Sequence, residues 1–214
     1  MRLTVLGATG RTGRYVVAAA LAAGHEVTVL ARTPTAVPQT LGADADRVTL
    51  VPGDLQDEAA VARALAGADA VVSAAGPGRA SPPDLMVSAA RAVVAQSRAQ
   101  GVQRLVWLTG AGVRRPGDRP GPADRLIVGV MRLLQGAVLR DSIAAVDVVA
   151  ASGLDWTVVR APRLTDGPPA GGTRVVGQVG GGHGTQLPRQ DLAPFLVGLA
   201  ATREWLHQAP VISS

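Results

Sequence analysis

The chain has 214 residues, of which 47% are hydrophobic and 17% charged, with a formal charge of +5. A chain of that length and composition is expected to bury an ordinary core within one domain and is far from a disordered composition. It has no cysteine, and all 21 of its basic residues are arginine. These absences exclude a disulfide scaffold, a thiolate nucleophile, a cysteine-bearing zinc or iron–sulfur site, Schiff-base chemistry and a Tyr/Lys catalytic pair.

The amino terminus reads as a strand, without the charged and long apolar regions of a signal peptide. No stretch approaches the ~18 apolar residues of a membrane span, so a soluble, cytoplasmic protein is expected. In chain order, the pattern predicts a strand at Leu3–Leu6, a helix at Arg11–Ala23 ended by Gly24, and strands at Val27–Leu30 and Val48–Val51. A helix at Glu58–Leu65 capped by Asp57, a strand at Ala70–Ser73 and a helix at Asp84–Gln100 follow. Next come a strand at Leu105–Leu108, a long helix within Asp124–Ala151, a strand at Trp156–Arg160 and a helix at Asp191–Ala201. Near-continuous apolar strands alternating with longer alanine-rich helices indicate an α/β fold, a Rossmann-type doubly wound parallel sheet.

Two Gly- and Pro-rich stretches interrupt the alternation, Gly110–Gly121 and Gly167–Gly184, the second around a possible short strand at Val175–Val179. Both are expected to leave the carboxyl edge of the sheet, where open α/β folds bind ligands. The expectation is therefore a single domain over residues 1–214 with substrate loops near 110–123 and 162–188.

Gly7-Ala-Thr-Gly10-Arg-Thr-Gly13 joins the first strand to the first helix. In that context Gly7 suits a tight turn, Gly10 lets backbone approach a pyrophosphate, and Gly13 permits close helix–strand packing. The helix start offers the phosphates free N–H groups and a positive dipole end. An NAD site would place an acid at the end of the second strand to accept from the ribose 2′-hydroxyl. Here Arg32-Thr33 follows instead. A guanidinium suits a 2′-phosphate, so NADPH is the expected cofactor. Asp54, in Gly53-Asp54-Leu55 after the third strand, is placed to approach the adenine amino group. Small residues in Ser73-Ala74-Ala75-Gly76 leave room for a flat cofactor at the sheet edge.

These motifs together resemble the atypical short-chain dehydrogenase/reductase superfamily. The run Ser152-Gly-Leu-Asp-Trp-Thr-Val-Val-Arg-Ala-Pro-Arg-Leu-Thr-Asp-Gly-Pro168 and Arg189-Gln-Asp-Leu-Ala-Pro-Phe-Leu196 resemble its branch around biliverdin-IXβ reductase/flavin reductase. The resemblance covers nearly the whole chain. It implies cofactor contacts from Gly7, Thr9, Gly10, Arg11, Thr12, Gly13, Arg32, Thr33, Asp54, Leu55, Ala74, Ala75, Gly76, Thr109, Gly110 and Pro162. It also places Arg163 near the nicotinamide.

Orthodox members of that superfamily move a proton with Tyr-x-x-x-Lys and a nearby Ser. This chain cannot: lysine is absent and the sole tyrosine, Tyr15, lies in the first helix. Gly110 stands where the resembling flavin reductases carry Ser, leaving Thr109 as the candidate hydroxyl. Hydride transfer without an internal acid suits flavins, quinones and linear tetrapyrroles, which draw a proton from solvent. Thr109 and Arg163 are the candidate catalytic residues, with Arg114 and Arg115 adding to an anion-attracting mouth.

The histidines, His25, His183 and His207, show no metal-ligand spacing, so no metal is expected. Trp107 and Trp156 read as core. Scattered arginines without a recognition helix argue against nucleic acid. The expected partner is a small-molecule acceptor, with no membrane. The leading function is an NADPH-dependent reductase of a flavin, quinone or similar conjugated acceptor. The alternatives are a non-catalytic NAD(P)-sensing regulator of NmrA-like type and an isomerase or epimerase-like enzyme.

Overall fold

The structure, a computed structural model, describes residues 1–78, 81–180, 182 and 184–214, and the side chains of all of these except residues 123, 124, 127, 131 and 132. His183 lies outside the described residues. The first half alternates as the sequence predicts: β1 (Arg2–Leu6), α1 (Gly13–Ala22), β2 (Glu26–Ala31), β3 (Val48–Pro52), α3 (Glu58–Leu65), β4 (Ala70–Ser73) and α4 (Leu85–Gln100). Between β2 and β3 lie α2 (Ala36–Leu41) and a short 3-10 helix at Gly42–Arg47. Both escape the pattern, because a six-residue helix containing Pro38, with only Val37 buried, carries no apolar period.

The second half adds β5 (Arg104–Gly110), α5 (Pro122–Ala150), β6 (Asp155–Ala161), β7 (Arg163–Thr165), β8 (Arg174–Val176), β9 (Gln186–Pro188), α6 (Arg189–Ala201) and β10 (Val211–Ser213). The long helix is broken at Gln135, whose φ of −138° is not helical. The short strand expected at Val175–Val179 is β8, three residues long, antiparallel to β10 at the sheet edge.

Among the described residues the sheet has eight strands in the order β3-β2-β1-β4-β5-β6-β10-β8, and only the β10–β8 pairing is antiparallel. The order reverses between β1 and β4, which makes their carboxyl ends the switch point of a doubly wound sheet. Both faces are covered, and β5 shows why its sequence lacks polar alternation. Leu105 and Trp107 pack with α3, α4 and α5, while Val106 and Leu108 pack with α1 and α6 on the other face. Trp107 is 1% exposed and Trp156 8%, so both tryptophans belong to the core. No described helix is long and apolar enough to cross a membrane.

Helix ends show local chemistry at work. Asp57 caps α3 as expected, its Oδ1 accepting from the Ala59 and Ala60 amides at 2.9 and 3.2 Å. Gly24 follows α1 with a φ of +77°, the left-handed conformation that glycine takes without a Cβ penalty. At α4, by contrast, Asp84 makes no capping bond. The free amides of Met86 and Val87 are taken instead by Asp141 of α5, both at 2.9 Å. A buried carboxylate thus fastens α5 onto the positive end of α4.

The two Gly/Pro-rich stretches are tied to each other. Arg160 of β6, 1% exposed, donates to Asp118 at 2.6 Å, to Ala209 O at 2.7 Å and to Val113 O at 3.3 Å. Asp118, 4% exposed, also accepts from the Arg115 amide at 2.8 Å and the Val179 amide at 2.9 Å. One buried ion pair therefore holds the loop after β5, the loop after β8 and the segment before β10.

Burial pushes the Asp118 carboxyl up, and the hydrogen bonds from Arg160, Arg115 and Val179 outweigh it, leaving its pKa below the ordinary value. Its contribution to stability is then present above the unfolded carboxylate range and is lost as pH falls through the lowered folded value. Asp118→Asn leaves the Arg160 charge buried and uncompensated and should cost about 3 kcal/mol at pH 7, read by urea denaturation. The difference between wild type and variant should shrink on acidification; a difference independent of pH would contradict the assignment.

Candidate active site

At the switch point the turn after β1 is held by its own backbone. Gly7 has a φ of +76°, and a Cβ added there would lie 2.6 Å from the Ala75 Cα. A Cβ on Gly13 would lie 2.0 Å from the Gly7 carbonyl oxygen. The Gly10 amide closes the turn by donating to the same oxygen at 2.9 Å. Gly10 differs from its neighbours: a Cβ there would meet only the Gly7 oxygen, at 3.0 Å. Gly7 and Gly13 are thus small because protein backbone passes them, whereas the far side of Gly10 is open. The left-handed residue of the turn is Gly7. The helix begins at Gly13 rather than Arg11, with Thr12 as its cap residue.

Two cavities flank this turn. The first, of about 230 Å³, runs along the ends of β1, β2 and β3. It brings together Gly7, Thr9, Gly10, Arg32, Asp54, Leu55, Ala74, Ala75 and Gly76 from the sequence expectations, and adds Gly53. It is the charged cavity. Arg32 Nε stands 3.6 Å from an Asp54 carboxylate oxygen, and the other Asp54 oxygen accepts from the Gln56 amide at 3.0 Å.

The second cavity, of about 220 Å³, runs along the ends of β4, β5 and β6. It brings Thr12, Thr109, Gly110 and Pro162 together with Ala74, Ala75 and Gly76, which line both spaces. Sequence reasoning missed Met86, Ser142 and Leu164, which complete its wall. A serine in the middle of a long helix carries no signal by itself; only the seating of α5 on α4 turns it toward the end of β5.

Four expected residues line neither cavity: Arg11, Gly13, Thr33 and Arg163. Arg11 pairs with Asp166, which also accepts from Arg189 at 2.9 Å. The Arg11 hydrogen bond is the leading reason that the Asp166 carboxyl sits below its ordinary pKa. Gly13 faces the turn carbonyl. Thr33 begins the turn into α2, its carbonyl accepting from the Ala36 amide at 3.0 Å. Arg163 lies exposed on β7, paired with β9. Arg115 pairs with Asp147 at 2.6 Å, so the expected anion-attracting mouth is not assembled from it. Tyr15 also lines neither cavity; its ring lies 4.8 Å beneath the Arg14 guanidinium. Among the described residues no three His, Asp or Glu side chains gather as a metal site.

The glycine turn can be tested without a ligand. Gly13→Ala forces a methyl into a backbone oxygen and should cost about 2 kcal/mol or more. Gly10→Ala should cost under about 1 kcal/mol, since only one atom must give way. Thermal denaturation of the two variants checks the order.

Comparison with known proteins agrees with this geometry. A family described as NAD(P)H-binding matches residues 7–203. An isoflavone reductase homolog from Zea mays is 31% identical over 206 residues, 92% of this chain and 63% of that protein. The chain spans less than two thirds of the curated relatives it matches. Among solved structures, an anaerobilin reductase from Escherichia coli O157:H7 superposes with a TM-score of 0.80 at 22% identity, covering 100% of this chain and 97% of that one. A short-chain dehydrogenase/reductase from Veillonella parvula in complex with NADP gives 0.81 at 18% identity, covering 100% and 94%. With a glycine turn at the switch point of a doubly wound sheet and a family match over nearly its full length, the chain belongs to the NAD(P)H-binding family.

Proposed function

We propose that the chain is an NADPH-dependent reductase that passes hydride to a flavin, quinone or similar conjugated acceptor. The observation that carries this reading is the pairing of the two cavities: a charged one beside an open glycine turn, sharing the Ala74–Gly76 wall with one that no charged side chain lines among the described residues. The names of an isoflavone reductase homolog and an anaerobilin reductase among its relatives support a reductive role.

The turn fits a dinucleotide. Gly10 leaves the space a pyrophosphate needs at the positive end of α1, where the Arg14 and Tyr15 amides are already taken by the Gly10 and Thr12 carbonyls at 3.2 and 3.0 Å. Thr9 lies on the same wall, with Arg11 beside it, held by Asp166. Arg32 reaches the 2′-phosphate by exchanging its loose contact with Asp54 for charge-assisted bonds, with the Thr33 hydroxyl next in sequence. Asp54 and Leu55 border the adenine. Ala74, Ala75 and Gly76 let the flat end lie across the sheet edge, and Thr109, Gly110 and Pro162 border the nicotinamide. When bound, the reduced dinucleotide supplies the hydride. The protein supplies proximity and orientation, and no side chain of the Tyr/Lys type delivers a proton.

NADPH should bind at least tenfold more tightly than NADH, a difference of about 1.4 kcal/mol by calorimetry. Arg32→Glu should reverse the preference and Gly10→Val should abolish both; equal constants for the two nucleotides in the wild type would remove the role given to Arg32.

Purified protein should oxidise NADPH with an added quinone or flavin, and Tyr15→Phe should leave that rate within about threefold, against the ~10²-fold loss of a positioned acid. NADPH binding without turnover of any flavin, quinone or tetrapyrrole would favour a redox-sensing regulator, the reading that the missing Tyr/Lys pair also permits.

A further inference from the structure

The second cavity has an unusual lining for this chain. The protein carries 21 arginines and 16 acidic residues, yet among the described residues no charged side chain lines the space between the ends of β4, β5 and β6. Among the described residues its side chains are apolar apart from three hydroxyls, those of Thr12, Thr109 and Ser142. Thr12 makes no side-chain capping bond to α1. Facing the cavity, these hydroxyls are donors and acceptors that a bound molecule can reach.

Ser142 is held in place by its neighbour. Asp141, 7% exposed, accepts from the Met86 and Val87 amides and so fixes the register of α5 against α4. That clamp sets the Ser142 hydroxyl on the opposite wall of the cavity from β5, which carries Thr109. Both positions belong to rigid elements, the arrangement that fixes the orientation of a bound molecule.

Resting on the reductase reading above, we infer that Ser142 and Thr109 select a neutral, flat carbonyl acceptor of the quinone class and disfavour anionic acceptors. On the described wall an anionic group would leave water without meeting a cation, which is costly. A quinone presents only carbonyl oxygens, each able to accept from a hydroxyl, and its ring suits the apolar wall. In the reaction the quinone gains a hydride from the reduced dinucleotide and one proton from water, and leaves as the hydroquinone. The hydroxyl bond strengthens as negative charge grows on the accepting oxygen, so Ser142 assists both binding and transfer.

The test uses the NADP⁺-loaded protein, which cannot reduce the ligand, titrated with 1,4-naphthoquinone and with its 2-sulfonate by calorimetry. The neutral quinone should bind at least about tenfold more tightly than the sulfonate. Ser142→Ala should weaken the quinone about fivefold, the effect of one neutral hydrogen bond, with NADP⁺ affinity unchanged, and Ser142→Thr should restore most of it. Equal or tighter binding of the sulfonate, or a quinone affinity indifferent to Ser142→Ala, overturns the inference. NADPH turnover separates the two readings. Serine-dependent quinone binding without turnover sustains this site and defeats the reductase role. Turnover of FMN with no quinone binding sustains the reductase role and defeats this site.

Discussion

Three stretches of backbone meet at the carboxyl end of β1, and the site exists because none of them carries a side chain where they touch. Gly7 passes the Ala75 backbone on one side and Gly13 on the other, at distances where any Cβ would collide. That packing sets the distance between β1 and the strand beyond the reversal, and it fixes where α1 starts. The strip Ala74–Gly76 is thereby held as the shared wall of both cavities. Gly10, in the same turn, faces open space. Three glycines in one motif thus differ: two are required by protein backbone packed against them, and Gly10 faces open space.

The second organising interaction is far from the first in sequence and chemistry. Arg160 and Asp118 are both almost fully buried, a placement whose desolvation cost is offset only if every remaining donor and acceptor is satisfied. Here Asp118 takes two backbone amides and Arg160 reaches backbone carbonyls of three segments, Val113, Gly177 and Ala209. The pair gives order to stretches whose Gly and Pro content gives them no regular structure of their own.

Charge is partitioned across the sheet edge. The side beyond β2 keeps Arg32 and Asp54 largely in solvent, where an ion pair is weak. The side beyond β5 offers hydroxyls on an apolar wall.

The sequence by itself determined the α/β class, the positions of the first six strands along the chain and the glycine turn, because each of these leaves a local mark. Apolar runs buried on two faces, a cap such as Asp57 and a turn that only glycine can make all leave their mark within a few residues. It also placed nine of the expected residues on the charged cavity, since they follow directly from strand ends. Tertiary structure alone decided the rest. β10 joins the sheet through three residues at the end of the chain, too few to carry a period, and β7 pairs with β9 across the stretch between them. Arg163, adjacent in sequence to Pro162 of the cavity, is turned away by the alternation of β7. Ser142 enters the cavity only because Asp141 locks two helices together, a contact spanning 55 residues that no local pattern encodes.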